Sequence, residues 1–110
     1  MNEELINGAR IAFASEFAFY LKAAGFHWNV EGIMFPQYHE FFQGIYEDVY
    51  GAVDPLAENI RKLGEKAPRD VEDMYDDKTV NCQNRAVTAN EMLKDLLETN
   101  DKVIVSLNNL

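Results

Sequence analysis

From Tyr38 to Leu63 the residues Tyr38, Phe41, Phe42, Ile45, Val49, Ala52, Val53, Leu56, Ile60 and Leu63 recur at helical intervals. At about 100° per residue they fall in one stripe roughly 120° wide, the pattern of a helix laid on a core. The same wheel gathers His39, Gln43, Tyr46, Tyr50, Asp54 and Glu58 on a second face, about 145° from the centre of the first. Pro36 suits the first turn of this helix and Gly64 its end, so the expected span is Pro36 to Leu63. Pro55 lies inside it and predicts a kink around Gly51 to Val53, because it removes one backbone hydrogen bond.

The second face carries metal-ligand chemistry. His27 and His39 are the two histidines of the chain and flank a turn containing Gly32 and Pro36, while Asp54 and Glu58 stand four residues apart on the helix. Imidazoles and carboxylates are good iron or zinc ligands. Taken singly, either histidine reads as a hydrogen-bonded boundary residue and the acidic pair as a solvated face. His39 and Asp54 lie about 22 Å apart along the helix axis, too far to share an ion within one chain. If a second copy of the helix crosses antiparallel near Tyr46 to Tyr50, His39 of one chain comes opposite Asp54 and Glu58 of the other, twice by symmetry.

His27-Trp28-Asn29, a histidine twelve residues on at His39, then Asp54 and Glu58, resemble the ferroxidase signature of the Dps-type mini-ferritins, the starvation-induced iron-storage and DNA-protection proteins. The resemblance runs from about Glu16 to Leu63 and more weakly to Leu110. It implies an all-α, ferritin-like bundle of three long helices and one short one, forming an antiparallel dimer and a larger shell. It also implies that His27, His39, Asp54 and Glu58 are the metal and catalytic residues. Iron, or zinc in its place, would lie between subunits, and Fe(II) would be oxidised there by peroxide or dioxygen. Trp28 reads from sequence as packing near the dimer contact; in the family it lies close to the iron and absorbs oxidising equivalents.

Two departures stand beside the match. The family carries a carboxylate four residues after the second histidine, and here that place is Gln43, a poorer iron ligand. The family also has a fourth long helix, whereas this sequence reaches Leu110 with its third helix still in phase. The alternative reading is therefore a structural or assembly subunit that keeps the dimer fold with impaired iron chemistry. A separate polypeptide supplying the fourth helix is a further expectation.

A length of 110 residues with 47% hydrophobic and 26% charged residues describes one globular domain, 1–110. Nineteen acidic against ten basic residues give a net charge of -9, which repels phosphate backbones and attracts cations. The chain opens Met1-Asn2-Glu3-Glu4 and has no basic cluster at its other end, so nucleic acid is not an expected partner. A lone Cys82, no N-terminal signal and no apolar run of about 18 residues point to a reducing, cytoplasmic setting away from membranes.

Asn2 is the expected N-cap of the first helix, with Glu3 and Glu4 in its first turn. Its stripe is Leu5, Ala9, Ala12, Phe13, Phe17, Tyr20, Leu21 and Ala24, whose aromatics read as packing, and it runs to about Trp28 with an end or fraying at Gly25. After Gly64 a long connection follows, with a short helix near Asp70 to Tyr75 and an acidic run to Asp77. That run matches no EF-hand spacing and reads as a solvated turn. Thr88-Ala89-Asn90-Glu91 is a capping box that opens the third long helix, with Leu93, Leu96, Leu97, Ile104 and Leu107 as its buried face. No Ser-His-Asp set, Gly-rich phosphate loop, CxxC pair or internal repeat is present.

Overall fold

In a computed structural model, which describes residues 3–75, 77 and 86–110, five helices follow one another. They are α1 (Glu3–Asn29), α2 (Phe35–Tyr50), α3 (Val53–Lys62), α4 (Val71–Tyr75) and α5 (Ala89–Asn108). Asn2, Asp76 and Cys82, singled out above, lie outside the described residues. The helical fold class stands as expected, with α2 and α3 as the two halves of the second long helix.

The break between those halves falls where the proline predicts it. Gly51 and Ala52 form a turn, the amide of Ala52 turns back to Val49 O at 3.1 Å, and Pro55 occupies the first turn of α3. There its missing N–H costs nothing, so the chain restarts a helix instead of bending a continuous one. Gly64, at φ +92°, closes α3 with the amide of Glu65 on Ile60 O (3.4 Å) and its own on Arg61 O (3.0 Å). This is the Schellman arrangement, which needs a residue free to be left-handed. The capping box also forms, with Thr88 Oγ1 accepting from the Glu91 amide (3.2 Å) and Glu91 Oε1 accepting from the Thr88 amide (3.0 Å). Hydrogen bonds donated to the Glu91 carboxyl by the Thr88 amide and by the Thr88 hydroxyl (3.0 Å) hold it below its ordinary pKa.

α1 is the element on which the others rest: α2, α3, α4 and α5 all pack against it. Two apolar clusters result. One joins Phe19, Ala23, Phe26 and Val30 to Phe42 and Val49 of α2 and to Met92, Leu96 and Val103 of α5. The other joins Ala9 and Phe13 to Ile60 of α3, with Phe17, Leu56 and Met74 at its margin. Arg10 ties α1 to the acidic run, reaching Asp73 Oδ1 at 3.2 Å and Asp77 Oδ2 at 3.3 Å.

Three expectations are corrected. α1 continues through Gly25 to Asn29, because the Asn29 side-chain amide donates to Gly25 O at 2.8 Å and satisfies a carbonyl near the helix end. Leu5 and Leu21 of its expected stripe are exposed, while helices on several sides bury positions outside that stripe. On α5 the buried set is Met92, Leu96, Thr99, Val103 and Ser106, whereas Leu97, Ile104 and Leu107 face outward. The physical reason is that α5 rests on α1 alone among its main contacts, so half of a wide apolar stripe has no wall to meet.

That unmet half forms one side of a groove. Between α2 and α5 runs an open cleft of about 840 Å³, lined by Phe41, Ile45 and Val49 on one side and Leu93, Leu96 and Leu97 on the other. Phe41, expected in the core, is 52% exposed at this edge. Glu40 and Asp48 also line the groove and give it an acidic rim.

Candidate metal centre

The turn between α1 and α2 sets the histidines side by side. Gly32 adopts φ +112°, a left-handed conformation open to glycine, and its carbonyl accepts from the Phe35 amide at 3.1 Å. Val30 is buried beneath the turn and anchors it to the core. α1 therefore ends, and α2 begins, at the same end of the molecule.

His27, buried in the last turn of α1, stacks on His39 of α2 with ring centroids 3.7 Å apart and planes 18° from parallel. Nδ1 of His27 lies 2.6 Å from the backbone oxygen of His39, and Nδ1 of His39 lies 2.6 Å from the backbone oxygen of His27. A carbonyl oxygen only accepts, so both Nδ1 atoms must carry the proton and donate. In the neutral ring this leaves the lone pair on Nε2, and neither Nε2 has a hydrogen-bond partner among the described residues. A backbone carbonyl on one nitrogen and a free lone pair on the other is the usual condition of a metal-binding imidazole. Phe35 stacks on His39 at 4.8 Å and Tyr46 meets His27 edge-on at 5.2 Å, so aromatic packing holds both rings.

The other residues of the second face are placed differently. Gln43 follows His39 by one helical turn, and its amide nitrogen donates to Glu47 Oε1 at 2.8 Å. Asp54 and Glu58 are exposed on α3. Among the described residues no three His, Cys, Asp or Glu side chains gather closely enough to hold a metal ion. The fold thus brings His27 and His39 together and leaves Asp54 and Glu58 facing outward. Trp28 is 62% exposed in the single chain.

Sequence reasoning missed two buried charges on α1. Glu16 is 6% exposed, and its carboxyl is pushed above its ordinary pKa by burial first and by the negative charge of Asp48 on α2 second. Lys22 is 5% exposed and reaches Asp95 Oδ1 of α5 at 2.9 Å, an oxygen that also accepts from Thr99 Oγ1 at 3.2 Å. The signal was available: between Arg10 and His27 these are the only charged residues. A helix that is apolar nearly all round is buried all round, and its charges are buried with it.

The ferritin-like domain model matches residues 10–110. The antigen TpF1 of Treponema pallidum (strain Nichols) is 41% identical over 49 residues, which are 44% of this chain and 28% of that protein. The DNA protection during starvation protein 2 of Bacillus anthracis is 24% identical over 107 residues, 97% of this chain and 73% of that one. The first curated relatives are thus matched over much less than two thirds of their own length. Among solved structures, the Dps protein of Vibrio cholerae O1 superposes with a TM-score of 0.90 at 21% identity, covering 97% of this chain and 67% of that one. With a family model spanning most of the sequence, the chain belongs to the ferritin-like domain family, and its fold is that of the Dps proteins.

Proposed function

We propose that the protein binds Fe(II) between two antiparallel copies and oxidises it with peroxide or dioxygen, the ferric product being stored within a larger shell. His27 and His39 of one copy orient the ion, and Asp54 and Glu58 of the other balance its charge. Zinc fits the same donors. The observation that carries the reading is the reciprocal pair of Nδ1 to carbonyl hydrogen bonds, which fixes the tautomer of both rings and leaves the lone pair of each on Nε2. The exposed carboxylates Asp54 and Glu58 of α3 would supply the anionic half of the site from the second copy. The Dps protein of Vibrio cholerae is a member of a broad superfamily of ferritin-like diiron-carboxylate proteins, which supports iron as the ion.

The chemistry of the donors divides as their charges do. The neutral imidazoles bind without neutralising the metal, so the ferric product, with one more positive charge, depends on Asp54 and Glu58. Gln43 contributes no charge, and its amide is engaged with Glu47. Turnover is accordingly slow. That same contact favours a second reading, a structural subunit that keeps the dimer and carries out little oxidation. A helix of a second chain would seat in the groove between α2 and α5, whose lining is largely apolar.

Several relatives bear the name DNA protection during starvation protein. For this chain, with a net charge of -9, protection would act through iron and peroxide instead of contact with nucleic acid. No helix among the described residues is long and apolar enough to cross a membrane, and a cytoplasmic setting accords with the lone cysteine. The deciding experiment is anomalous diffraction at the iron edge from crystals soaked in Fe(II). The expected result is a peak between chains, within bonding distance of His27 or His39 and of Asp54 or Glu58. Its absence from crystals soaked in saturating Fe(II) leaves the structural-subunit reading in place.

A further inference from the structure

Gln43 stands one helical turn after His39, and its amide nitrogen donates to Glu47 Oε1 at 2.8 Å. A carboxylate only accepts, so the nitrogen of the amide must be the atom that faces Glu47. The amide oxygen is then turned away from that contact, and it has no hydrogen-bond partner among the described residues. Without Glu47 the amide is free to rotate by half a turn and meet a cation with its N–H groups, which repel it. An amide and a carboxylate at i and i+4 also pair simply as helix support. What sets this pair apart is its place on the helix, because one turn back stands His39, whose Nδ1 is engaged and whose Nε2 lone pair is open.

We propose that Glu47 is a positioning residue for the metal site, holding Gln43 by its amide nitrogen so that the amide oxygen serves as a neutral ligand beside His27 and His39. This rests on the reading of the histidine pair as the iron site. Glu47 does not reach the ion itself, since it lies about 12 Å along the helix axis from His39. It acts through the amide in two ways. The hydrogen bond fixes which end of Gln43 meets the ion. The negative charge at the N–H also pushes electron density toward the carbonyl oxygen, which makes that oxygen a stronger ligand. With neutral imidazoles and a neutral amide, the formal charges left at the ion are those of Asp54 and Glu58 from the second copy. Two negative charges match a divalent ion and leave a ferric ion with one positive charge unbalanced. The arrangement therefore holds Fe(II) in preference to its oxidised product.

The test titrates Co(II), a spectroscopic stand-in for Fe(II), into the full-length protein under nitrogen. Calorimetry gives the affinity, and the visible bands of the bound ion report its ligands, shifting and intensifying as ligands are lost. The variants are Gln43→Leu, Glu47→Ala, Glu47→Gln and the double variant Gln43→Leu, Glu47→Ala. Glu40→Gln, at the rim of the groove, is the control that removes an equal charge from the same helix. All three positions are exposed or half-buried, so the fold is kept. Gln43→Leu and Glu47→Ala should each weaken Co(II) binding on the order of tenfold, with the same spectral change. Glu47→Gln, whose amide oxygen still accepts from Gln43, should keep the wild-type spectrum and most of the affinity. The double variant should bind no more weakly than Gln43→Leu, because the two residues act as one unit. Glu40→Gln should leave the spectrum unchanged. Equal losses in Glu47→Ala, Glu47→Gln and Glu40→Gln, a further loss in the double variant, or no loss in any variant overturns the positioning and leaves the metal site standing. A wild type that binds no Co(II) overturns both.

Discussion

Lys22 of α1 and Asp95 of α5 meet at 2.9 Å across 73 residues of sequence, with the lysine side chain 3% exposed. The aspartate is 25% exposed, but the lysine is not, and removing the aspartate strands a buried charge where an apolar pair would leave none. Asp95→Ala should therefore destabilise the fold by about 3–5 kcal/mol, and the double variant Lys22→Met, Asp95→Leu by much less. Urea denaturation of the three proteins checks this. Equal losses in the single and double variants would show that the pair matters by its shape and not its charge.

Glu16 predicts a pH dependence of the opposite sense to an ordinary paired carboxylate. Its folded pKa is raised by burial and by Asp48, so the folded state favours the protonated acid. Stability is full below the unfolded carboxylate pKa and is lost as pH rises through the folded one. Glu16→Gln removes the titrating group. It should be more stable than wild type at neutral pH, and the difference should shrink to nothing in acid. Denaturation midpoints measured from acid to neutral pH should diverge; parallel curves would show that Glu16 does not titrate in this window.

Gln43 is the position at which the candidate site is most open to improvement. Gln43→Asp or Gln43→Glu should tighten Fe(II) binding on the order of tenfold, about 1.4 kcal/mol, and speed oxidation. Asp54→Ala or Glu58→Ala should abolish both. Stopped-flow ferric absorbance, with peroxide and with air, is the measurement. Wild-type rates matching those of the carboxylate variants would remove Gln43 from the metal.

The protein should be a dimer or larger, with Tyr46 and Tyr50 in the contact. Trp28, Ile33, Met34 and Phe35 around the turn at the histidines are exposed in the single chain, a group of apolar side chains that a second copy would cover. Light scattering at micromolar concentration should show no monomer, and Tyr46→Glu should shift the distribution downward. A well-folded monomer in the wild type would remove the basis of the intersubunit site.

DNA should not be retained at physiological salt, given nearly twice as many acidic as basic residues. A gel shift performed across a salt series should show no retarded band. One that grew steeply as salt fell would reveal a concentrated basic patch.

What could be read in the sequence was local or periodic. The stripe of α2 and α3, a kink before Pro55 that the structure turns into a break, the glycine closing α3 and the Thr88 capping box each follow from neighbours within a few residues. What escaped depends on elements distant in the chain. Glu16 is buried because α2 and α3 return to cover α1, and Leu97 is exposed because, among the described residues, no element covers the groove beside α5. The histidines were identified by type and spacing, yet the exchange of hydrogen bonds that fixes their tautomers is visible only once the turn at Gly32 has been built. The separation of His39 from Asp54 along the helix is a consequence of rise per residue and needs no fold.

The arrangement of four helices around α1 sets a hierarchy of opening. α2 and α3 hold α1 from one side and contact each other, whereas α5 depends for its main support on α1 alone. Detaching α5 breaks the Lys22 bridge and exposes Met92, Leu96 and Val103 but leaves the α1–α2 packing, the histidine turn included, in place. Amide exchange in α5 then runs through a partial opening of lower free energy than the one that frees α1. The histidine turn should therefore outlast α5 in amide exchange.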